Sequence, residues 1–209
     1  MKIILIRFGM LLVVLAGGCA SFFPERSSKI MGDDYYARGD YDKALESYKN
    51  AMAQGSNNRN VQRNIAIIYN IKKQYDLSIP IFYGLLQKDP KDFDSRIGLG
   101  NAYVSSDISR ALQEYSEILK FDADHVLVHE RLGWAHYSAK NYGAARRHFL
   151  KVLNHFHRNH SVLTGMGSVA MAEKKWEEAY RFFSDLRDNY PQDPTALAAL
   201  KTISTYYKP

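Results

Sequence analysis

The chain has 209 residues, 46% of them hydrophobic and 24% charged, enough to form one domain with its own core. Its formal net charge of +6 falls to +4 when Lys2 and Arg7 of the leader are set aside, and the signs alternate, as in Lys174-Lys175-Trp176-Glu177-Glu178. A mild, scattered excess of that kind is a solvated surface; with no basic run or RNA-binding motif, nucleic acid is not an expected partner.

Residues 1–18 read as a signal peptide. Lys2 and Arg7 precede a short apolar run from Phe8 to Leu15, then Ala16, Gly17 and Gly18, then Cys19, the only cysteine. The run is too short to span a bilayer stably. The small residues before Cys19 resemble a bacterial lipobox, although Leu15 lies one place further from the cysteine than the usual pattern puts it. The resemblance implies that Cys19 is acylated and becomes the mature N-terminus, and two or more chains make a stable anchor. The alternative is an ordinary cleaved signal with an incidental buried cysteine. Ala20, where an aspartate resembles an inner-membrane retention signal, implies the periplasmic face of the outer membrane. With Cys19 acylated no thiol remains for a disulfide. Residues 19–23 are the expected tether, with Phe22 and Phe23 at the lipid interface or against the first helix.

From Pro24 the chain repeats itself. Small residues recur at Ala44, Ser78, Ala111, Ala145 and Ala179, in steps of 34, 33, 34 and 34. Four residues beyond each stands an aromatic (Tyr48, Phe82, Tyr115, Phe149, Phe183), and three beyond that an apolar residue (Ala51, Leu85, Ile118, Val152, Leu186). Three before, with one exception, is a ring: Tyr41, Tyr75, Tyr142, Trp176. Upstream, Gly32, Ala66, Gly100, Gly133 and Gly167 mark a close helix–helix approach, and Tyr35, Tyr69, Tyr103, His136 and Ala170 follow three residues later. Each unit reads as two amphipathic helices that cannot bury their apolar faces without a copy alongside. This pattern, from about Pro24 to Pro191, resembles the tetratricopeptide repeat family. The resemblance implies an all-α fold: a right-handed solenoid of five helical hairpins over 24–192, with a C-terminal capping helix over 193–209.

Three details depart from a uniform array. Pro80 falls two residues after Ser78, inside the second helix of repeat two; a late start near Ser78, capped by Asp76 or Ser78, is expected because an interior proline costs roughly 3 kcal/mol. Repeat three is one residue short, and the turn Val104 to Ser109 is expected to absorb the deletion. In the last helix, Asp193 caps and Pro194 opens, Leu197, Leu200 and Ile203 line one face, and Lys201 occupies the close-contact position and blocks a further repeat.

No phosphate loop, G-x-S-x-G or other catalytic constellation is present, so no enzyme activity and no cofactor are expected. His155, His157 and His160 are the one metal-like run, but they fall on the hinge between repeats four and five, where polar residues are expected. In the family the first helices line the concave face. By register that face carries Lys29, Asp33 and Tyr36; then Asn60, Arg63, Asn64, Ile67 and Asn70; then Asp94, Ile97 and Asn101; then Glu130, Arg131, Trp134 and Tyr137; then Ser161, Thr164, Gly165 and Ser168. Tyr36, Asn60, Arg63, Asn64, Asn70, Asn101, Arg131, Trp134 and Tyr137 are the candidate partner-binding residues, because amides pair with an extended backbone while rings and arginine anchor side chains. A carboxylate clamp like that of some chaperone-binding members is not expected: Lys29 and Asn64 match it, but Asp33, Asp94 and Gly98 replace its Asn, Lys and Arg. The expected function is a scaffold binding protein partners of the cell envelope, similar to repeat lipoproteins of pilus and secretion assembly such as tight-adherence pilus lipoproteins and type IV pilotins. An adaptor for a protease or peptidoglycan hydrolase, and a metal carrier or enzyme using the histidine run, are the alternatives.

Overall fold

The computed structural model describes residues 24–208, so the expected signal peptide, Cys19 and the tether lie outside the described residues. The described residues form eleven helices and no strand: α1 (Pro24–Ala37), α2 (Tyr41–Ala53), α3 (Arg59–Ile71), α4 (Tyr75–Lys88), α5 (Phe93–Tyr103), α6 (Ile108–Leu119), α7 (Val126–Ser138), α8 (Tyr142–His155), α9 (His160–Ala172), α10 (Trp176–Asn189) and α11 (Pro194–Ile203). They fall into two compact units, Met1–Val61 and Gln62–Pro209. No described helix is long and apolar enough to cross a membrane.

In the first unit α1 and α2 pair through Gly32 and Tyr48. A Cβ on Gly32 would lie 2.6 Å from the Tyr48 ring, so only glycine lets that ring bury completely. The Tyr48 hydroxyl donates to Asp33 at 2.8 Å, and Lys29 pairs with the same carboxylate.

The second unit repeats this wedge. Tyr115 lies under Gly100 and Phe183 under Gly167, each closer than 3 Å to where a Cβ would stand. Two rings are held from a second side as well. Phe82 lies 2.3 Å from a Cβ built on Gly98, and Phe149 sits between Gly133 (2.4 Å) and Gly165 (2.5 Å). The ring of one hairpin therefore packs against the first helix of the next, and that contact links neighbours. Full burial of such a ring contributes roughly 1.5–3 kcal/mol. Gly165 and Ile97, assigned by register to the open face, are buried packing positions instead.

The turns inside the hairpins share one closure. In the first unit Gly39 takes φ 76° and the Asp40 N–H reaches the Tyr35 carbonyl at 2.9 Å. In the second, Lys73, Lys140 and Lys174 take φ of 58–59°, and Gln74, Asn141 and Lys175 donate to Tyr69, His136 and Ala170. This six-to-one bond with a left-handed residue inside is a Schellman turn. Repeat three closes differently: the Asp107 N–H reaches Tyr103 at 2.8 Å, four residues back, and no residue there has positive φ. The expected absorption by the turn is corrected: α5 is 11 residues long against 13 for α3, α7 and α9, while its connection to α6, residues 104–107, is longer than residues 72–74, 139–141 and 173–175 of the other repeats.

Two more expectations are corrected. α4 does not start late: it runs from Tyr75 through Pro80, its N-cap Gln74 makes no side-chain cap bond, and the Ser78 hydroxyl donates to the Tyr75 carbonyl. Pro80 is exposed, so its ring displaces no packed neighbour, and burial of Ser78, Phe82 and Leu85 offsets the backbone bond that it forgoes. In α11 the buried residues are Ala196, Ala199 and Ile203, Leu200 is half-buried, and Leu197 is 49% exposed. Asp193 does cap this helix, accepting from the Ala196 N–H at 2.7 Å, and Pro194 opens it.

Candidate protein-binding face

In the first unit Tyr36 is half-buried, with its ring edge-on to Tyr41 at 5.7 Å, and burial holds its hydroxyl above the usual tyrosine pKa. Asn60 is exposed, and its backbone N–H is taken by the Asn58 side chain at 2.9 Å.

In the second unit polar clasps join α3 to α5 and α7 to α9, made in part by the residues expected to face a partner. Arg63 on α3 reaches across to α5, bonding Asp92 at 2.9 Å, Asp94 at 3.2 Å and Ser95 at 3.3 Å. Burial works against the Asp92 carboxylate, but the Ser95 hydroxyl and N–H and the Arg63 guanidinium hold its pKa below the usual range. The Asn70 amide donates to the Gly98 carbonyl at 2.7 Å, while its own oxygen is buried without a partner. Asn64 is half-buried and engaged in the fold. Asn101 accepts the Tyr115 hydroxyl at 2.7 Å.

On α7 the indole N–H of Trp134 donates to Ser161 on α9 at 2.9 Å, and the Ser161 hydroxyl donates to Glu130 at 2.8 Å. The Trp134 ring meets Tyr137 and Phe149 edge-on at 5.7 and 5.4 Å, and Tyr137 lies 5.9 Å from Tyr142. Both rings are half-buried against the core and present only part of their surface. Arg131, on the same helix, is half-buried with a buried Nε that has no acceptor. Trp134 and Tyr137 meet on α7 and Arg131 lies on the same helix, whereas Arg63, Asn70 and Asn101 are taken up by bonds within the fold.

The sequence reading missed a histidine cluster between α7 and α8. His129 is 5% exposed; its Nε2 lies 2.9 Å from the Ala123 carbonyl and its Nδ1 lies 2.9 Å from Nδ1 of His148. A carbonyl only accepts, so Nε2 of neutral His129 carries the proton and His148 donates from Nδ1. His136 stacks on His148 with centroids 5.4 Å apart. Burial first, then His129, His136 and Arg147, push the His148 pKa down to about 4. Its one sequence signal was the unusual His136 at a repeat position held elsewhere by tyrosine or alanine.

The expected metal-like run does not converge. His155 and His157 are exposed, and His160 bonds Asp193 at 2.7 Å. Among the described residues no three His, Cys, Asp or Glu side chains group as metal ligands.

The profile of a tetratricopeptide repeat matches residues 31–93 and 101–159, and a second tetratricopeptide repeat profile matches residues 162–193. A curated relative, the general transcriptional corepressor ssn6 of Schizosaccharomyces pombe, is 33% identical over 81 residues, which are 38% of this chain and 7% of that protein. The chain therefore spans a small fraction of that relative's length. Among solved structures, PilW, described as a widely conserved type IV pilus biogenesis factor, superposes with a TM-score of 0.77 at 17% identity over 87% of this chain and 86% of its own. PilF of Pseudomonas aeruginosa matches at 0.72 and 17% identity, over 87% of this chain and 83% of its own. A tetratricopeptide repeat protein of Parabacteroides merdae matches at 0.71 and 18% identity, over 87% and 72%. At these identities the likeness is one of fold.

Proposed function

The chain belongs to the tetratricopeptide repeat family, and from that premise we propose that it is a lipid-anchored scaffold at the periplasmic face of the outer membrane, binding a protein partner in pilus or secretion-system assembly. The observation that carries the reading is α7, where Arg131, Trp134 and Tyr137 stand together, half-exposed, on the row of first helices. Rings and an arginine set in partly desolvated positions are the side chains that anchor protein interfaces. The two pilus proteins whose folds cover most of this chain support the assembly setting. The leader and Cys19 support the anchor, which holds the scaffold beside the membrane where such machines are built.

The test is a deletion strain of the source organism, complemented with wild type or with Cys19→Ser, in which secretin multimers and surface pili are quantified. Wild type restores both. Cys19→Ser leaves the outer-membrane fraction and restores neither. Full pilus assembly in the deletion strain would remove the assembly role, and unchanged membrane retention of Cys19→Ser would remove the anchor.

A further inference from the structure

The net positive charge of the chain is concentrated in one repeat by a lack of acids. Between Glu130 and Glu173 there is no Asp or Glu, while Arg131, Lys140, Arg146, Arg147, Lys151 and Arg158 all fall in that span. The acids that reach into this repeat, Asp124, Glu173 and Glu178, are bonded to Lys151 and Arg146. Lys140, Arg147 and Arg158 are exposed, and among the described residues no carboxylate pairs with them. Exposed arginines on other helices do have one: Arg38 holds Asp34, Arg110 holds Asp107 and Arg181 holds Glu177, each within about a turn.

These cations share a face with apolar surface. The helix α8 buries Ala144, Ala145, Phe149 and Val152 and leaves Gly143, Arg147, Leu150, Lys151 and Asn154 exposed, at the spacings of one helical stripe. Lys140 stands in the turn before the helix and Arg158 in the connection after it. Leu150 is 44% exposed in the middle of the stripe, and Phe156 is 56% exposed at its end. A helix of 14 residues is about 21 Å long, so the cations are spread out and not gathered round one point. An extended anionic surface matches that spread; a single small anion does not. Cations interleaved with exposed apolar side chains are also the pattern of interfacial helices, whose charges meet anionic headgroups while the apolar groups enter the boundary below.

We propose that the exposed face of α8, flanked by Lys140 and Arg158, docks on an anionic phospholipid bilayer as a second attachment of the chain. The proposal deepens the anchored-scaffold reading and rests on it for the bilayer at hand. An acyl anchor confines the chain to that surface, where a weak attraction is enough to act. The contact is measurable without the acyl chain, so the two readings fail separately.

The test uses the full chain carrying Cys19→Ser, floated with vesicles of phosphatidylcholine alone or with about one-third phosphatidylglycerol. The anionic vesicles should bind it about tenfold or more tighter than the neutral ones, and salt should erase the difference. Lys140→Gln, Arg147→Gln and Arg158→Gln together should remove most of that preference. A control with the same loss of charge elsewhere, Lys88→Gln, Lys201→Gln and Lys208→Gln, should keep it. Leu150→Ser with Phe156→Ser should weaken binding several-fold, with circular dichroism confirming the fold of each variant. Equal binding to both vesicles, a preference that survives the first triple substitution, or one that the control lowers as much would each overturn the proposal. So would unchanged binding of the Leu150→Ser, Phe156→Ser chain. A fluorescent polyglutamate peptide is the second probe. Its capture through these cations with no vesicle preference would overturn the bilayer and assign the face to an acidic protein. In each of those cases, an acylated wild type that still floats with neutral vesicles leaves the anchor standing. Absence of acyl mass on the wild type, with the vesicle preference intact, would remove the anchor and leave the docking face.

Discussion

Two glycines on neighbouring helices show how much one residue decides. Gly165 lies where a Cβ would stand 2.5 Å from the Phe149 ring, whereas a Cβ on Gly143 would meet nothing closer than Arg147 at 3.9 Å. Gly165→Ala therefore forces the ring or the helix aside and should cost roughly 1–3 kcal/mol, while Gly143→Ala should raise stability by up to about 1 kcal/mol. Urea unfolding of the two variants checks both signs; equal midpoints would mean that Phe149 is not a wedge. The histidine cluster gives a pH dependence. His148 has a folded pKa of about 4 against an ordinary 6.5, so between those values the unfolded chain takes up a proton that the folded chain refuses. Stability should fall as pH drops through that window, by roughly 1–2 kcal/mol once solvent screening of this half-exposed ring is allowed for. His148→Asn should flatten the pH profile of the urea midpoint from pH 7 to 4.5. An unchanged slope would show that the proton is taken up elsewhere.

At the scale of the helix, propensity and packing compete, and packing wins. Pro80 lies in the middle of α4, five residues after its first, and removes the bond that the Asp76 carbonyl would otherwise accept. The helix nevertheless starts at Tyr75, because Ser78, Phe82 and Leu85 must be presented to the core in register with the other repeats. That is why the expected late start failed: a local breaker was weighed without the three buried side chains that override it. Pro80→Ala should therefore stabilise the protein by about 1 kcal/mol or more, up to roughly 3, with no change in helix boundaries. A loss of stability would mean that the proline's restriction of the unfolded chain outweighs the missing bond. The Schellman turns tell the same story. Their positions follow from the period, but three are filled by lysine, whose left-handed conformation no turn-residue rule singles out.

At the scale of the whole chain, the hairpins and their wedge residues were legible because one spacing is imposed on five registers at once. Legible too was the cap on α11. The clasps were not. Nothing in the spacing of Arg63, Asn70 or Asn101 separates an amide that waits for a partner from one bonded across to the next helix, because both lie at the same register position. Long side chains bridge helices in ways that periodicity does not encode. The face proposed for a partner is accordingly narrower than a whole row of first helices and is centred on α7.

The end of the second unit carries a final consequence of the repeat logic. α11 packs Ala196, Ala199 and Ile203 against Leu163, Ala170, Phe183 and Leu186 of the last hairpin. The Tyr206 ring stacks on Trp176 at 4.4 Å, and Tyr207 lies 5.7 Å from Tyr180. Without this helix the apolar flank of α9 and α10 faces water, with no further repeat to cover it. A stop codon at Gln192 should therefore lower the thermal midpoint and promote association of the chain, since exposed apolar patches of that kind recruit one another. The same cut removes Asp193, the partner of His160, and so loosens the start of α9 as well as its flank. Scanning calorimetry with sedimentation analysis at two protein concentrations measures both effects. A truncated chain that melts like the full one and stays monomeric would show that α11 is an appendage, and that the last hairpin is stable on the contacts it makes with α7 and α8 alone.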